Sequence, residues 1–182
     1  MLKAINTLSE DEKLNREKMD RKQQVLEIIR GNPGIRFNEI MRKSNIKNGT
    51  LSHYVKKLED ENHIELERTP RVTRLYPAGI GKNEANICKY LKMTTHKKMI
   101  LFLLKKEIAT AVEIREFINK SPSVVSVNLS ELFKEKIVEK QYDIPSNRYS
   151  LKKPEEIRGI MNEYYPNLLD QFSDNTVDML DF

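Results

Sequence analysis

The chain has little of what a disulfide scaffold, a metal site or a membrane span requires. One cysteine, Cys88, occurs among 182 residues and tryptophan is absent, so no internal disulfide can form and no second thiol is available to hold zinc. Glycine numbers only 6, too few for a collagen-like chain. The longest apolar run, MILFLL at 99–104, has six residues, whereas a membrane helix needs roughly 20. With no signal-peptide pattern at its start, we expect a cytoplasmic protein with no membrane association, no cofactor and no metal.

Charge, by contrast, is abundant and unevenly distributed. The 32 Lys/Arg and 27 Asp/Glu residues give 32 − 27 = +5. Residues 30–82 carry eleven basic and six acidic side chains, and residues 94–158 carry thirteen and nine. Residues 163–182 contain five acidic side chains and no basic one. Two basic segments favour a polyanionic partner such as nucleic acid, although a lysine-rich surface that only keeps the protein in solution has the same charge.

An internal repeat appears when the sequence is shifted by 74 residues. Apolar positions then coincide along the whole aligned segment. This pattern predicts two copies of one structural unit. Representative aligned pairs are Leu26 with Ile100, Ile40 with Ile114, Leu51 with Val125, Val55 with Leu129, Leu58 with Leu132 and Ile64 with Val138.

The first copy can be divided into elements by its periodicity and its turn residues. A helix ends before GNPG at 31–34, a short extended piece follows, and a second short helix ends near Ser44. After NIKNG, the residues Leu51, Val55 and Leu58 lie on one face of a third helix. Alternation at 64–67, the turn TPRV and the returning TRLYP predict a hairpin. The predicted fold class is mainly α with small β-wings, consisting of two winged helix-turn-helix units in tandem plus a C-terminal helical segment.

Two segments resemble a known family. NGTLSHYVKKLEDENHIELER followed by RVTRLYPAG is similar to the winged helix-turn-helix of archaeal and bacterial regulators of the ArsR/MarR type. SPSVVSVNLSELFKEKIVE resembles the second unit of archaeal tandem winged-helix transcriptional regulators, so the resemblance covers roughly residues 10–158. It implies a sequence-specific regulator that binds double-stranded DNA as a homodimer.

The geometry of the third helix, at about 49–61, predicts its DNA contacts independently. At about 100° per residue, the face opposite Leu51 holds two polar residues in the first turn and two lysines one turn later. The first two suit base edges and the lysines suit phosphates, while short polar residues at the helix start also suit a phosphate. The predicted contacts are Asn48, Thr50, Ser52, His53, Lys56 and Lys57. For His53, a solvated surface histidine is the alternative.

A second set of predicted contacts lies around the hairpin turn at 68–74. Arg68, Arg71 and Arg74 are spaced to reach the adjacent minor groove or its phosphates, with a solvated hairpin tip as the alternative. Arg42 and Lys43, at the end of the second helix, are predicted to contact the DNA backbone in the same pose.

The second copy has a weaker set of DNA contacts. Its equivalent face offers Ser126, Val127, Ser130 and Glu131, and a carboxylate there would repel phosphate. Ser126, Val127 and Arg148 are therefore predicted only as accessory DNA contacts. The second copy is interpreted as an accessory binder or an assembly module.

An apolar stripe at helical spacing follows Pro154. It is the candidate dimer interface, and the alternatives are that it folds back on the core of the second domain or that the long N-terminal helix forms the dimer. The stripe consists of Ile157, Ile160, Met161, Tyr164, Leu168, Leu169 and Phe172. Pro166 is expected to break or kink its helix near Tyr165.

These elements define four predicted segments and two candidate functions. The segments are a first winged-helix domain at 1–82 with the N-terminal helix, a linker at 83–95, a second winged-helix domain at 96–153 and a helical, acidic tail at 154–182. An enzyme is not expected, because GIGK at 79–82 lacks phosphate-loop spacing and no nucleophile–base pair is evident. The predicted function is a DNA-binding transcriptional regulator. The alternative is a non-enzymatic scaffold or transcription-machinery subunit whose winged helices bind protein.

Overall fold

The protein is mainly helical, with two small antiparallel sheets. The computed structural model describes residues 10–166 and 168. The chain divides into two compact units, unit 1 at 1–80 and unit 2 at 81–182. Within the described residues, no helix combines the length and the apolar character that crossing a bilayer demands.

Unit 1 is built from three helices and a three-stranded sheet of order β1-β3-β2, in which both pairings are antiparallel. Its elements are α1 Glu10–Arg30, β1 Ile35–Arg36, α2 Phe37–Ser44, α3 Asn48–Asp60, β2 Ile64–Arg68 and β3 Thr73–Pro77. This order of elements is that of a winged helix.

The orientation of α3 in unit 1 is set by its apolar stripe. Leu51, Val55 and Leu58 are 0%, 6% and 0% exposed and pack in one core with residues of α1 and α2. The sharp turn between α2 and α3 is made at Asn45, whose φ of 54° is left-handed, a conformation that asparagine tolerates better than most residues. Gly34, at φ 77°, brings the chain back so that its N–H donates to the Leu75 carbonyl at 2.9 Å.

The described part of unit 2 contains five helices and a three-stranded sheet of order β4-β6-β5. Its elements are α4 Lys82–Leu91, α5 Thr94–Lys106, β4 Ile108–Thr110, α6 Ala111–Ile118, α7 Pro122–Lys134, β5 Val138–Gln141, β6 Arg148–Leu151 and α8 Pro154–Tyr164. From α5 to β6 the order is the same as from α1 to β3.

The two units also share their spacing along the chain. Helices α2 and α6, and likewise α3 and α7, begin and end 74 residues apart. Left-handed residues and strand partners recur at the same offset, so matching numbers in the two units denote matching places in the fold. The recurring features are positive φ at Asn45 and Asn119 and at Asn62 and Lys136, and the pairings Ile35–Leu75 and Ala109–Tyr149.

The prediction that residues 83–95 form a linker is wrong. Residues 82–91 form α4, and Ile87, Cys88, Tyr90 and Leu91 of this helix are buried in the core of unit 2. Burial raises the pKa of the Cys88 thiol to about 12, so the group behaves as a small apolar side chain. Lysine, asparagine and glutamate residues are interspersed with the apolar residues of this helix. The segment therefore has the composition of a polar linker although it forms an amphipathic helix.

The prediction of a dimer interface on the C-terminal stripe is also wrong for three of its residues. Ile157, Ile160 and Met161 are 1%, 6% and 0% exposed and belong to the core of unit 2. The Tyr164 hydroxyl donates to Glu84 Oε1 at 2.8 Å, and Leu168 packs partly against the same core. The stripe therefore completes the fold of its own unit, which was the alternative interpretation. Leu169 and Phe172 lie outside the described residues.

The predicted end of this helix is confirmed. Helix α8 ends at Tyr164, immediately before the residue at which Pro166 was expected to stop it. Proline excludes the helical conformation for the residue before it, which accounts for the position of the break.

Replacing Met161 by alanine is expected to destabilise unit 2 without changing the oligomeric state. A fully buried methionine truncated to alanine costs about 2–5 kcal/mol in the free energy of unfolding, measurable by chemical denaturation. Asn162→Ala, at an exposed position of the same helix, is the control and should change stability by less than about 0.5 kcal/mol. A halved mass in light scattering with an unchanged unfolding midpoint would restore the stripe as a dimer interface.

Candidate nucleic-acid interface

The outer face of α3 is polar and basic. Burial of Leu51, Val55 and Leu58 leaves the opposite side of the helix to solvent, and the predicted contacts Ser52, His53, Lys56 and Lys57 are all exposed there. The structure also places Tyr54 in the core at 6% exposure, beside His53 at 5.8 Å between ring centroids. The four predicted residues therefore share one accessible surface.

The first turn of α3 is open to a ligand's close approach. Asn48, Gly49 and Thr50 are exposed, and the N-cap residue Lys47 makes no side-chain hydrogen bond to the helix start. The Ser52 hydroxyl donates to Asn48 Oδ1 at 3.3 Å. Sequence reasoning missed Lys47, the exposed N-cap residue of α3. Its position directly before the helix was the available signal.

The hairpin that follows α3 ends in a tight turn with one arginine at its tip. The Thr69 amide donates to the Val72 carbonyl at 2.9 Å, and the Thr69 hydroxyl donates to the same oxygen at 2.8 Å. This closure leaves Pro70 and Arg71 at the exposed end of the hairpin. Arg71 therefore lies where the sequence prediction placed it.

Arg68 is tied to α3 by a bidentate ion pair. Its Nη1 and Nη2 atoms donate to Glu59 Oε1 and Oε2 at 2.8 and 2.6 Å. This hydrogen bonding holds the pKa of the Glu59 carboxyl below its ordinary value. The pair joins the end of β2 to the last turns of α3 and so fixes the hairpin relative to the helix. Sequence reasoning missed Glu59, because nothing local distinguishes it from the neighbouring Asp60.

Arg74 is buried and not accessible to DNA, so the prediction that it contacts DNA is wrong. It lies on β3, the central strand of the sheet, and is only 4% exposed. Its Nη1 donates to the Gly34 carbonyl at 3.0 Å, so its guanidinium group satisfies a buried backbone acceptor. Three successive residues at the middle of β3 are buried, so both faces of this strand are covered, which the sequence of a five-residue strand does not reveal.

The end of α2 adds two basic side chains to unit 1. Arg42 and Lys43 are exposed in its last turn. Arg42 Nε donates to the Asn38 carbonyl at 3.3 Å.

Unit 2 differs at the equivalent positions. Ser126 and Val127 are exposed. Arg148 Nε is 2.8 Å from Asp143 Oδ2, so its charge is already paired.

Glu131 of unit 2 was expected to face outward, where it would repel phosphate, but it is half-buried and bound within its own unit. It accepts a hydrogen bond from the Tyr90 hydroxyl at 2.9 Å, and its Oε2 is 3.2 Å from His96 Nε2. Burial lowers the pKa of His96, which favours the neutral imidazole. The described part of the chain holds no group of three or more His, Cys, Asp or Glu side chains arranged for a metal ion.

Comparison with protein families gives one match. The family model HTH_HVO_0163_N, described as an N-terminal HTH domain, matches residues 19–87. These residues include most of α1 and all of the elements from β1 to β3. No curated protein matches the chain.

Solved structures give loose likenesses only. The homodimeric winged helix-turn-helix DNA-binding domain Mb0332 from Mycobacterium bovis, a possible ArsR-family regulator, is 18% identical with a TM-score of 0.39, covering 56% of this chain and 94% of that one. Lactococcus lactis ZitR in complex with DNA is 19% identical with a TM-score of 0.35, covering 69% and 80%. The endosomal complex ESCRT-II is 14% identical with a TM-score of 0.33, covering 78% and 66%. The helix-turn-helix domain of unit 1 is shown by the family match and not by these structures.

Replacing Arg74 by methionine is expected to destabilise unit 1, because the buried Gly34 carbonyl loses its donor. The cost is about 1–3 kcal/mol in the free energy of unfolding, measured by chemical denaturation of the full chain. Arg71→Met is the matched control at an exposed position and should leave stability within about 0.5 kcal/mol. Equal unfolding midpoints for the two variants would contradict the structural role of Arg74.

Proposed function

We propose that the protein is a sequence-specific DNA-binding transcription regulator that reads the major groove with α3 of unit 1. The observation that carries the proposal is the exposed face of α3, on which Ser52, His53, Lys56 and Lys57 lie together opposite a buried apolar stripe. A helix in the major groove presents its first turn to the base edges. In this pose Ser52 and His53 hydrogen-bond to bases.

Phosphate contacts surround this position in the proposed complex. Lys56 and Lys57 lie one turn further along α3, and Asn48 and Thr50 lie at its start, where backbone N–H groups also favour an anion. Arg42 and Lys43, at the end of α2, contact the backbone in the same pose.

The hairpin of unit 1 serves as the wing. Arg71 at its tip reaches the adjacent minor groove or its phosphates. Arg68 contributes differently from Arg71, since its bidentate pair with Glu59 holds the wing at a fixed place relative to α3. A wing held in advance loses less conformational entropy when DNA binds.

We further infer that unit 2 is a second winged helix, so that the chain is a tandem arrangement. Support comes from the shared order and spacing of the elements from β4 to β6. Its exposed residues Ser126 and Val127 offer little to phosphate, and Arg148 is paired with Asp143. Unit 2 therefore acts as an accessory DNA contact or an assembly module. Homodimer formation on a two-fold DNA site remains part of the proposal, with α1 as the remaining candidate element.

A second candidate function is a scaffold or transcription-machinery subunit that uses its winged helices to bind protein. The exposed apolar residues of unit 2, such as Val127 at 66% and Tyr142 at 84% exposure, favour it. The two functions differ in what unit 1 does, because only a regulator requires tight, sequence-dependent binding of DNA by α3.

Binding to a duplex from its own promoter region is expected to be steeply salt-dependent. If two protomers each neutralise about four phosphates, the slope of log K against log salt is near −7. Titration of labelled duplex at several salt concentrations measures it, with a scrambled duplex as the control. A slope shallower than about −2, or equal affinity for both duplexes, would favour the scaffold function.

Alanine substitutions are expected to separate base contacts from phosphate contacts. Loss of Ser52 or His53 should cost roughly 1–3 kcal/mol on the specific duplex and relax sequence preference. Lys56→Ala should weaken binding to specific and scrambled duplexes about equally. The matched control in unit 2, Ser126→Ala with Val127→Ala, should change affinity by less than about 1 kcal/mol. A larger loss from the control pair would place the main DNA-binding surface in unit 2.

A further inference from the structure

The exposed apolar side chains of the protein are concentrated in one unit. All seven large apolar residues that are exposed in the described part of the chain belong to unit 2. Three of them, each at least 49% exposed, lie at the C-terminal end of α7 or in the loop between β5 and β6: Phe133, Tyr142 and Ile144. We call these three residues the apolar face. Exposed apolar groups collected on neighbouring elements mark a surface that binds another polypeptide.

The apolar face occupies the place that the ion-paired surface occupies in unit 1. The residues 74 positions before Phe133 and Tyr142 are Glu59 and Arg68, whose side chains are in direct contact at 2.6 and 2.8 Å. Two aromatic side chains thus stand where unit 1 has the ion pair between helix and hairpin. Val127 likewise takes the place of His53. The same backbone presents a polar, basic surface in unit 1 and an apolar one in unit 2.

A lysine lies directly against the apolar face and favours an acidic partner. Lys140 Nζ is 4.7 Å from the centre of the Tyr142 ring, and Lys134 is exposed on α7. The carboxylates on α7, at its C-cap and in this loop already have partners within unit 2, namely those of Glu131, Glu135 and Asp143. A second copy of this face would bring lysines against lysines. A segment that combines apolar and acidic residues would satisfy both the aromatic rings and the lysines.

The chain itself contains such a segment. Residues 169–182, LDQFSDNTVDMLDF, include four aspartates, six large apolar residues and no lysine or arginine. We propose that residues 169–182 bind the apolar face of unit 2 in the same chain. The inference does not depend on DNA binding by unit 1.

The place where this segment begins makes the contact feasible. Leu168 packs partly against the core of unit 2, so the segment leaves from the unit that carries the face. Fourteen residues span at most about 50 Å when fully extended, compared with a radius of gyration of about 13 Å for a unit of about 100 residues. Any point on the surface of unit 2 is therefore within reach.

Photo-cross-linking in the full-length chain tests the proposal. The variant Phe172→p-benzoylphenylalanine is irradiated as an equal mixture of ¹⁵N-labelled and unlabelled protein, and the cross-linked peptides are identified by mass spectrometry. We expect most cross-links to join residue 172 to residues 124–147 within one chain. Phe133→Glu combined with Tyr142→Arg, which introduces the residue pair of unit 1, should lower their yield tenfold or more.

Two further variants make the result decisive. Val112→Ser, which removes a 49% exposed apolar side chain outside the apolar face, should leave the yield unchanged. Asp174→Asn with Asp178→Asn leaves the core of unit 2 intact and should lower the yield several-fold, so the test does not depend on folding of the face variant. Cross-links within one chain contain no mixed-isotope species, so a mixed-isotope fraction near one half, as random pairing of two copies gives, would identify a second copy as the partner and overturn the proposal. Cross-links on α3 or residues 68–74, or a yield that neither variant changes, would also overturn it.

Discussion

The burial of three side chains on α3 governs everything that unit 1 presents to a ligand. Leu51, Val55 and Leu58 fit a core formed with α1 and α2, and this packing fixes the rotation of the helix about its own axis. Once the rotation is fixed, the polar residues at the intervening positions have only one direction in which to point. One side of the helix provides packing and the other provides the polar groups for binding. A rotation of the helix about its axis would therefore expose the apolar stripe and bury the polar residues at the same time.

The same constraint acts in α7 and has a different outcome. Val125, Leu129 and Leu132 are buried as their counterparts in α3 are, so the outer positions are equally well defined. What differs is the chemistry placed there, most clearly where Phe133 and Tyr142 replace the ion-paired Glu59 and Arg68. A shared scaffold therefore sets the shape of both surfaces, while a few outward residues set which class of molecule each can bind.

Much of this arrangement follows from periodicity alone. The 3.6-residue repeat of α3 predicts that Ser52, His53, Lys56 and Lys57 are exposed, and the structure agrees because one buried stripe determines the orientation of an amphipathic helix. The errors lie where burial depends on distant neighbours. Arg74 is covered because both faces of β3 are packed, and Glu131 is half-buried because Tyr90 and His96 contact it from other helices.

Helix α4 determines where the chain can be divided between its two units. Only residues 78–81 separate the end of β3 from its first turn, and the family match extends to residue 87, partway along it. A fragment that stopped there would expose apolar residues of α4, and its complement would lack one wall of its core. A cut within these four residues leaves every described element of both units whole, which makes this short connection the place at which to separate them.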